Sequence, residues 1–166
     1  MYACGRLRRP AHPQHRMQDT THLPEAARMR LRLTGPRHGW LTVELELGTF
    51  VLHVSASLVL NNPLRELFDM LTCHRLSSGT FRRACLWAEP KGYAVDVQTL
   101  DDQRFMAMTL QHRCLVKRKL FSQELLDGLA KWLASEANPS QDLSDDELAG
   151  FRSALRQVPR EIGSNG

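Results

Sequence analysis

Apolar and polar residues alternate most strictly between positions 41 and 56. Leu41, Val43, Leu45 and Leu47 stand among Thr42, Glu44 and Glu46, and after Gly48-Thr49 the alternation resumes with Phe50, Leu52, Val54 and Ala56. A period of two marks a strand with one buried face, and Gly at the first position of a two-residue loop suits a type II′ hairpin turn. That turn sets Leu47 opposite Phe50, Leu45 opposite Leu52, Val43 opposite Val54 and Leu41 opposite Ala56. A slip of one residue would turn the whole apolar set to the wrong face, so the register is specified. The other face then carries Thr42, Glu44, Glu46, Val51, His53 and Ser55, with Glu44 opposite His53.

Before the hairpin, Arg30, Leu31, Arg32 and Leu33 read as a short strand broken at Gly35-Pro36 and Gly39. After it, Asn62 can cap a helix with Pro63 in the first position, and Leu64, Leu67, Phe68 and Leu71 give residues 63–75 one apolar side. Residues 82–89 and 92–100 read as strands joined by a type I turn at Glu89-Pro90-Lys91-Gly92. The face of Val95, Val97 and Thr99 is expected to continue onto Met106, Met108 and Leu110, and residues 113–121 onto a further strand. Ser122 is the expected cap of a second helix with Leu125, Leu126, Leu129, Trp132 and Leu133 along one stripe. Beyond Asn138-Pro139-Ser140, Ser144 and Glu147 form a capping box flanked by Leu143 and Leu148, starting a tail helix that either docks or waits for a partner. The order of elements describes an α+β two-layer sandwich: an antiparallel sheet of about five to six strands with two helices packed on one face, plus a C-terminal tail helix.

A chain of 166 residues, 42% hydrophobic and 24% charged, fits one ordinary domain with appendages. No apolar run approaches the roughly 18 residues of a membrane span, so the expectation is a soluble, cytoplasmic protein with no membrane partner. Residues 1–28 hold five arginines against Asp19 and Glu25, which is three of the four net positive charges. They lack the apolar core of a secretory signal and read as a disordered basic leader. Met17 and Met29 offer alternative starts at which that leader is not translated. The α+β domain is expected over 29–136, and a linker with the tail helix over 137–166. Cys4, Cys73, Cys85 and Cys114 show no close pairing and are expected as reduced thiols.

Catalytic chemistry finds little support. Cys73-His74 and His112-Arg113-Cys114 lack the spacing of a zinc knuckle, and adjacent side chains on one element point apart; no metal and no cofactor is expected. There is no Gly-x-Ser-x-Gly elbow, phosphate loop or His-Glu-x-x-His helix. Lys117, Arg118 and Lys119 form a short basic run beside Phe121 alone, and Trp40, Trp87 and Trp132 are scattered, so the domain itself does not read as a nucleic-acid binder. Two alternatives stay open: a small cysteine- or metal-dependent enzyme using Cys85, Cys114, His53 or His112, and a regulatory module using the basic leader on nucleic acid.

Several turn phrases carry a resemblance: Gly35-Pro36-Arg37-His38-Gly39-Trp40-Leu41, Asn61-Asn62-Pro63-Leu64-Arg65-Glu66-Leu67, Trp87-Ala88-Glu89-Pro90 and Gly92-Tyr93. Over roughly residues 33–110 the chain resembles small bacterial proteins of the immunity type, from contact-dependent or secreted toxin systems. The resemblance implies a non-enzymatic partner-binding protein that blocks a cognate protein toxin by direct contact. The expected contact surface is the polar hairpin face of Thr42, Glu44, Glu46, Val51, His53 and Ser55.

Overall fold

The computed structural model describes residues 22–72, 77–88, 91–109, 112–135 and 143–158. The leader up to residue 21, Cys73-His74, the Glu89-Pro90 turn, Leu110 and the Asn138-Pro139-Ser140 linker lie outside them.

Two antiparallel meanders form instead of one sheet. β1 (Met29–Arg37), β2 (Trp40–Leu47) and β3 (Phe50–Ser57) make the first; β4 (Phe81–Ala88), β5 (Lys91–Thr99), β6 (Arg104–Thr109) and β7 (His112–Lys117) make the second. Helix α1 (Pro63–Met70) connects them, and α2 (Arg118–Ser135) and α3 (Asp145–Gln157) follow β7. No helix among the described residues is long and apolar enough to cross a membrane.

The hairpin register is the one its alternation implies, from Leu41 opposite Ala56 to Leu47 opposite Phe50. All four β2 leucines and valines on that face are buried, and the fully enclosed Leu41 and Val43 each stabilise the fold by about 2 kcal/mol. β1 is longer than expected. It runs through Gly35-Pro36 with a slip in register between Thr34 and Arg37, and its pairing with β2 resumes at Arg37 opposite Trp40.

Three further expectations are corrected. The face of Val95, Val97 and Thr99 continues onto Thr109, Ala107 and Phe105, and not onto Met106 and Met108, which lie opposite Gln98 and Asp96. The Leu100 amide bonds the Arg104 carbonyl, and Asp101 accepts from the Gln103 and Arg104 amides, so the loop holds three residues and the parity reverses. β7 ends at Lys117, and α2 already begins at Arg118. Ser122 is therefore buried in the second turn of the helix rather than capping it. α1 does begin as expected, with the Asn62 carboxamide oxygen accepting from the Leu64 and Arg65 amides.

One core joins both sheets to the helices. It takes in Leu64, Leu67 and Phe68 of α1, Phe121, Leu125, Leu129 and Trp132 of α2, and Leu148 and Phe151 of α3. The tail helix thus docks. Its capping box is formed as the sequence implies, and Phe151 stacks on Phe68 at 4.4 Å while meeting Trp132 edge-on at 6.2 Å.

The strand edges are closed by different means. α2 lies against β1, close enough that a Cβ on Gly128 would sit 2.7 Å from the Leu31 carbonyl oxygen, and Trp132 Nε1 donates to the Gly35 carbonyl at 2.6 Å. On β7 the Leu115 amide donates to the Pro24 carbonyl and the Leu115 carbonyl accepts from Ala26, so a short segment ahead of β1 extends the second sheet. On β4 the Cys85 carbonyl accepts from Asn61 Nδ2 at 2.9 Å and its amide donates to Glu66 Oε2 at 3.4 Å. Side chains here replace a neighbouring strand. Paired edges matter because an open row of amides and carbonyls recruits other chains.

Candidate binding surface

The polar residues of the hairpin share one face because β2 and β3 alternate without interruption. Thr42, Glu44 and Glu46 are half-buried, while Val51, His53 and Ser55 are exposed. α2 packs on the Leu31 side of β1, the opposite side, and among the described residues no helix lies over this face. β1 completes it with Arg30, Arg32 and Thr34. The rows across the three strands are Arg30, Glu46 and Val51; Arg32, Glu44 and His53; Thr34, Thr42 and Ser55.

The third strand changes the charge of the surface. The hairpin alone leans acidic, but Arg32 donates to Glu44 Oε1 at 3.0 Å and Arg30 stands opposite Glu46. Two cations now offset two carboxylates. Glu44 does lie opposite His53, yet its carboxylate is engaged by the guanidinium on its other side. The signal for this was present in the Arg30, Arg32 alternation ahead of Gly35, whose register with β2 the sequence leaves unspecified. At the Trp40 end the face turns apolar: Trp40, Val59 and Leu60 are exposed, with Val59 against Gly39.

The residues of the enzyme alternative are not brought together. His53 points out from the first sheet, whereas Cys114 is buried in the second, on its core face opposite Ala107. His112 stacks on Phe50, with centroids 4.8 Å apart and planes 6° apart, and so ties β7 to the start of β3. Cys85 points out from β4 opposite Ala94. Burial pushes both thiols up from their ordinary value, aided at Cys85 by the Glu66 carboxylate. A thiol raised in this way stays protonated at neutral pH and is a poor nucleophile. Among the described residues no group of three or more His, Cys, Asp or Glu side chains could hold a metal ion.

The outer face of the second sheet was hidden from the sequence, and it is exposed along β4 but buried at Met106 and Leu115. On the outer face of β4 to β7, Trp87 lies over Gly92, its cross-strand partner, and Arg83 bonds Asp96 through two contacts of 2.6 and 2.8 Å. Comparison with protein-family models, with curated proteins and with solved structures finds no match to this chain.

Proposed function

We propose that the protein is a non-enzymatic binding protein of the immunity type, which neutralises a cognate bacterial protein toxin by direct contact. The observation that carries this reading is the outer face of β1 to β3, exposed at Arg30, Arg32, Val51, His53 and Ser55, whose other side is core. Val51, on the edge strand β3 in the row of Arg30 and Glu46, is 57% exposed and stands next to the row of Arg32, Glu44 and His53. Exposed apolar side chains beside charged rows suit a protein contact patch, which combines apolar area with a polar surround. The charged rows supply register and steering more than affinity, and Trp40 with Val59 and Leu60 supplies apolar area at one end.

Two further features support it. The Cys85 and Cys114 thiols are held protonated, which disfavours nucleophilic chemistry. Of the turn phrases that resemble immunity-type proteins, Gly35 to Leu41 and Asn61 to Leu67 lie at the Trp40 end of this face, and the phrases at Trp87 and Gly92 lie on the second sheet.

The test is co-expression with the product of the neighbouring gene. That product alone should arrest growth, this protein should restore it, and the two should co-purify. Glu44→Lys with Glu46→Lys should weaken the complex about tenfold or more. Absence of both toxicity and complex formation would overturn the reading, and an unchanged affinity in the double variant would remove this face from it.

A further inference from the structure

Of the four strands that end the two sheets, three have their edges closed: β1 by α2, β4 by Asn61 and Glu66, and β7 by the segment from Pro24 to Ala26. The fourth is β3. Its outward row follows from the hairpin: the Leu58 amide donates to the Gly39 carbonyl, so the even-numbered residues of β3 bond β2. Val51, His53, Ser55 and Ser57 therefore turn their amides and carbonyls away from β2. The same alternation turns Cys85 outward on β4, where Asn61 and Glu66 meet its carbonyl and amide. Among the described residues nothing bonds the outward groups of Val51, His53 and Ser55. All three are exposed, whereas Ser57 is buried at 3% and β4 packs against β3. The open stretch is Val51 to Ser55.

This edge also lacks the devices that keep sheets from joining, namely charged side chains, proline and bulges. Every other strand carries at least one Lys, Arg, Asp or Glu. β3 carries none, and none occurs from Gly48 to Leu64. It holds no proline, and its pairing with β2 runs without a break in register.

We propose that two copies of the chain pair through β3, antiparallel about a two-fold axis at His53, joining their three-stranded sheets into one continuous sheet. In that register Val51 faces Ser55 of the second copy and His53 faces its equivalent, and each pair exchanges two backbone hydrogen bonds. On the core side Leu52 meets Val54 of the second copy, apolar against apolar. Moving the axis to Leu52 leaves Ser55 unpaired, and moving it to Val54 calls on the buried Ser57. A foreign strand could use the same amides, but this row is complementary to itself and brings no like charges together. A two-fold contact closes on itself and uses up the edge. The pairing engages backbone groups and leaves the side chains of the polar face outward, so it stands whether or not that face binds a toxin.

The experiment uses the full chain. Sedimentation equilibrium should show a concentration-dependent dimer, weak because so short a contact buries little area. Hydrogen exchange reads the register: the Val51, His53 and Ser55 amides should gain protection as concentration rises, while those of Leu52 and Val54, bonded within the hairpin, are protected throughout. His53→Lys sets like charges opposite each other at the axis and should weaken the dimer about tenfold or more. Val51→Pro removes an amide that the single chain does not use and should weaken it too. Arg32→Ala alters the polar face without touching the edge and should change nothing. Circular dichroism checks that each variant is folded, and His53→Lys, at an exposed position, decides the matter if Val51→Pro does not fold. Four results would overturn the proposal: a monomer at every concentration; a dimer that His53→Lys leaves intact; a dimer weakened by Arg32→Ala, which would mean pairing face to face; or protection gained elsewhere than at these three amides.

Discussion

The first sheet covers its β1 edge with a helix and balances the charge on its outer face; the second closes its edges with borrowed side chains and a short added strand, and exposes Trp87 and Phe81 on its outer face. At β1, α2 comes so near that only a glycine fits at 128, and an indole donates to the strand backbone. At β4, the Asn61 and Glu66 side chains take the two backbone groups of one residue, Cys85. The first arrangement is rigid and specified by packing. The second is local and cheaper to disturb. The difference separates an edge held by packing from one held by single hydrogen bonds.

The comparison breaks most sharply at Gly128. Gly128→Val should drive α2 away from the Leu31 backbone and cost about 3 kcal/mol in urea unfolding; a loss below about 0.5 kcal/mol would mean that α2 is not seated as described. Trp132→Phe keeps the ring but strands the buried Gly35 carbonyl, and should cost about 2 kcal/mol by the same measurement. On the second sheet, Asn61→Ala frees the Cys85 carbonyl of a partly buried bond and should cost about 1 kcal/mol, less than either change at α2.

A smaller effect depends on pH. The Ser144 backbone amide, with the Ser144 hydroxyl and the Asn62 carboxamide, holds the Glu147 carboxyl below the usual glutamate range. A depressed folded-state value means that the stabilisation is complete above the unfolded value of about 4.3 and is lost as pH falls through the folded one. Glu147→Gln should therefore be less stable than the parent at pH 7 by at most about 1 kcal/mol, and the gap should close in acid. Smallest of all is the Arg32–Glu44 pair, half exposed on the arginine side: Arg32→Ala should move stability by less than about 0.5 kcal/mol. A larger loss would make that face part of the scaffold instead of a surface.

The legibility of the molecule follows the same division. β2 and β3 could be read residue by residue, because strict alternation and a two-residue loop leave one register. The strand 105–109 could not. Phe105 and Ala107 are apolar, but so are Met106 and Met108, and only the Asp101 turn decides which pair faces inward. Ser122 reads as a helix cap by residue type, yet Arg118 to Phe121 already wind, with Phe121 packed edge-on against Phe105. The docking of α3 rests on Phe151 meeting Phe68 and Trp132, contacts between segments far apart in sequence. The polar hairpin face was readable in full except for the Arg30 and Arg32 that balance it. The Trp87 face was not readable at all, since Arg113 and Lys117 reach the same side of β4 only after three hairpins.

The two aromatic contacts of Phe151 have a consequence for how the native molecule breathes. α3 contributes only Leu148 and Phe151 to the buried core, so it has less to lose by leaving than any other helix. Local opening free energies scale with such burial. Amides of α3 should exchange with solvent well before those of β2, without global unfolding, and each opening would bare the Phe68 ring on α1 and one side of Trp132 on α2. The last helix thus sets the lifetime of the closed core.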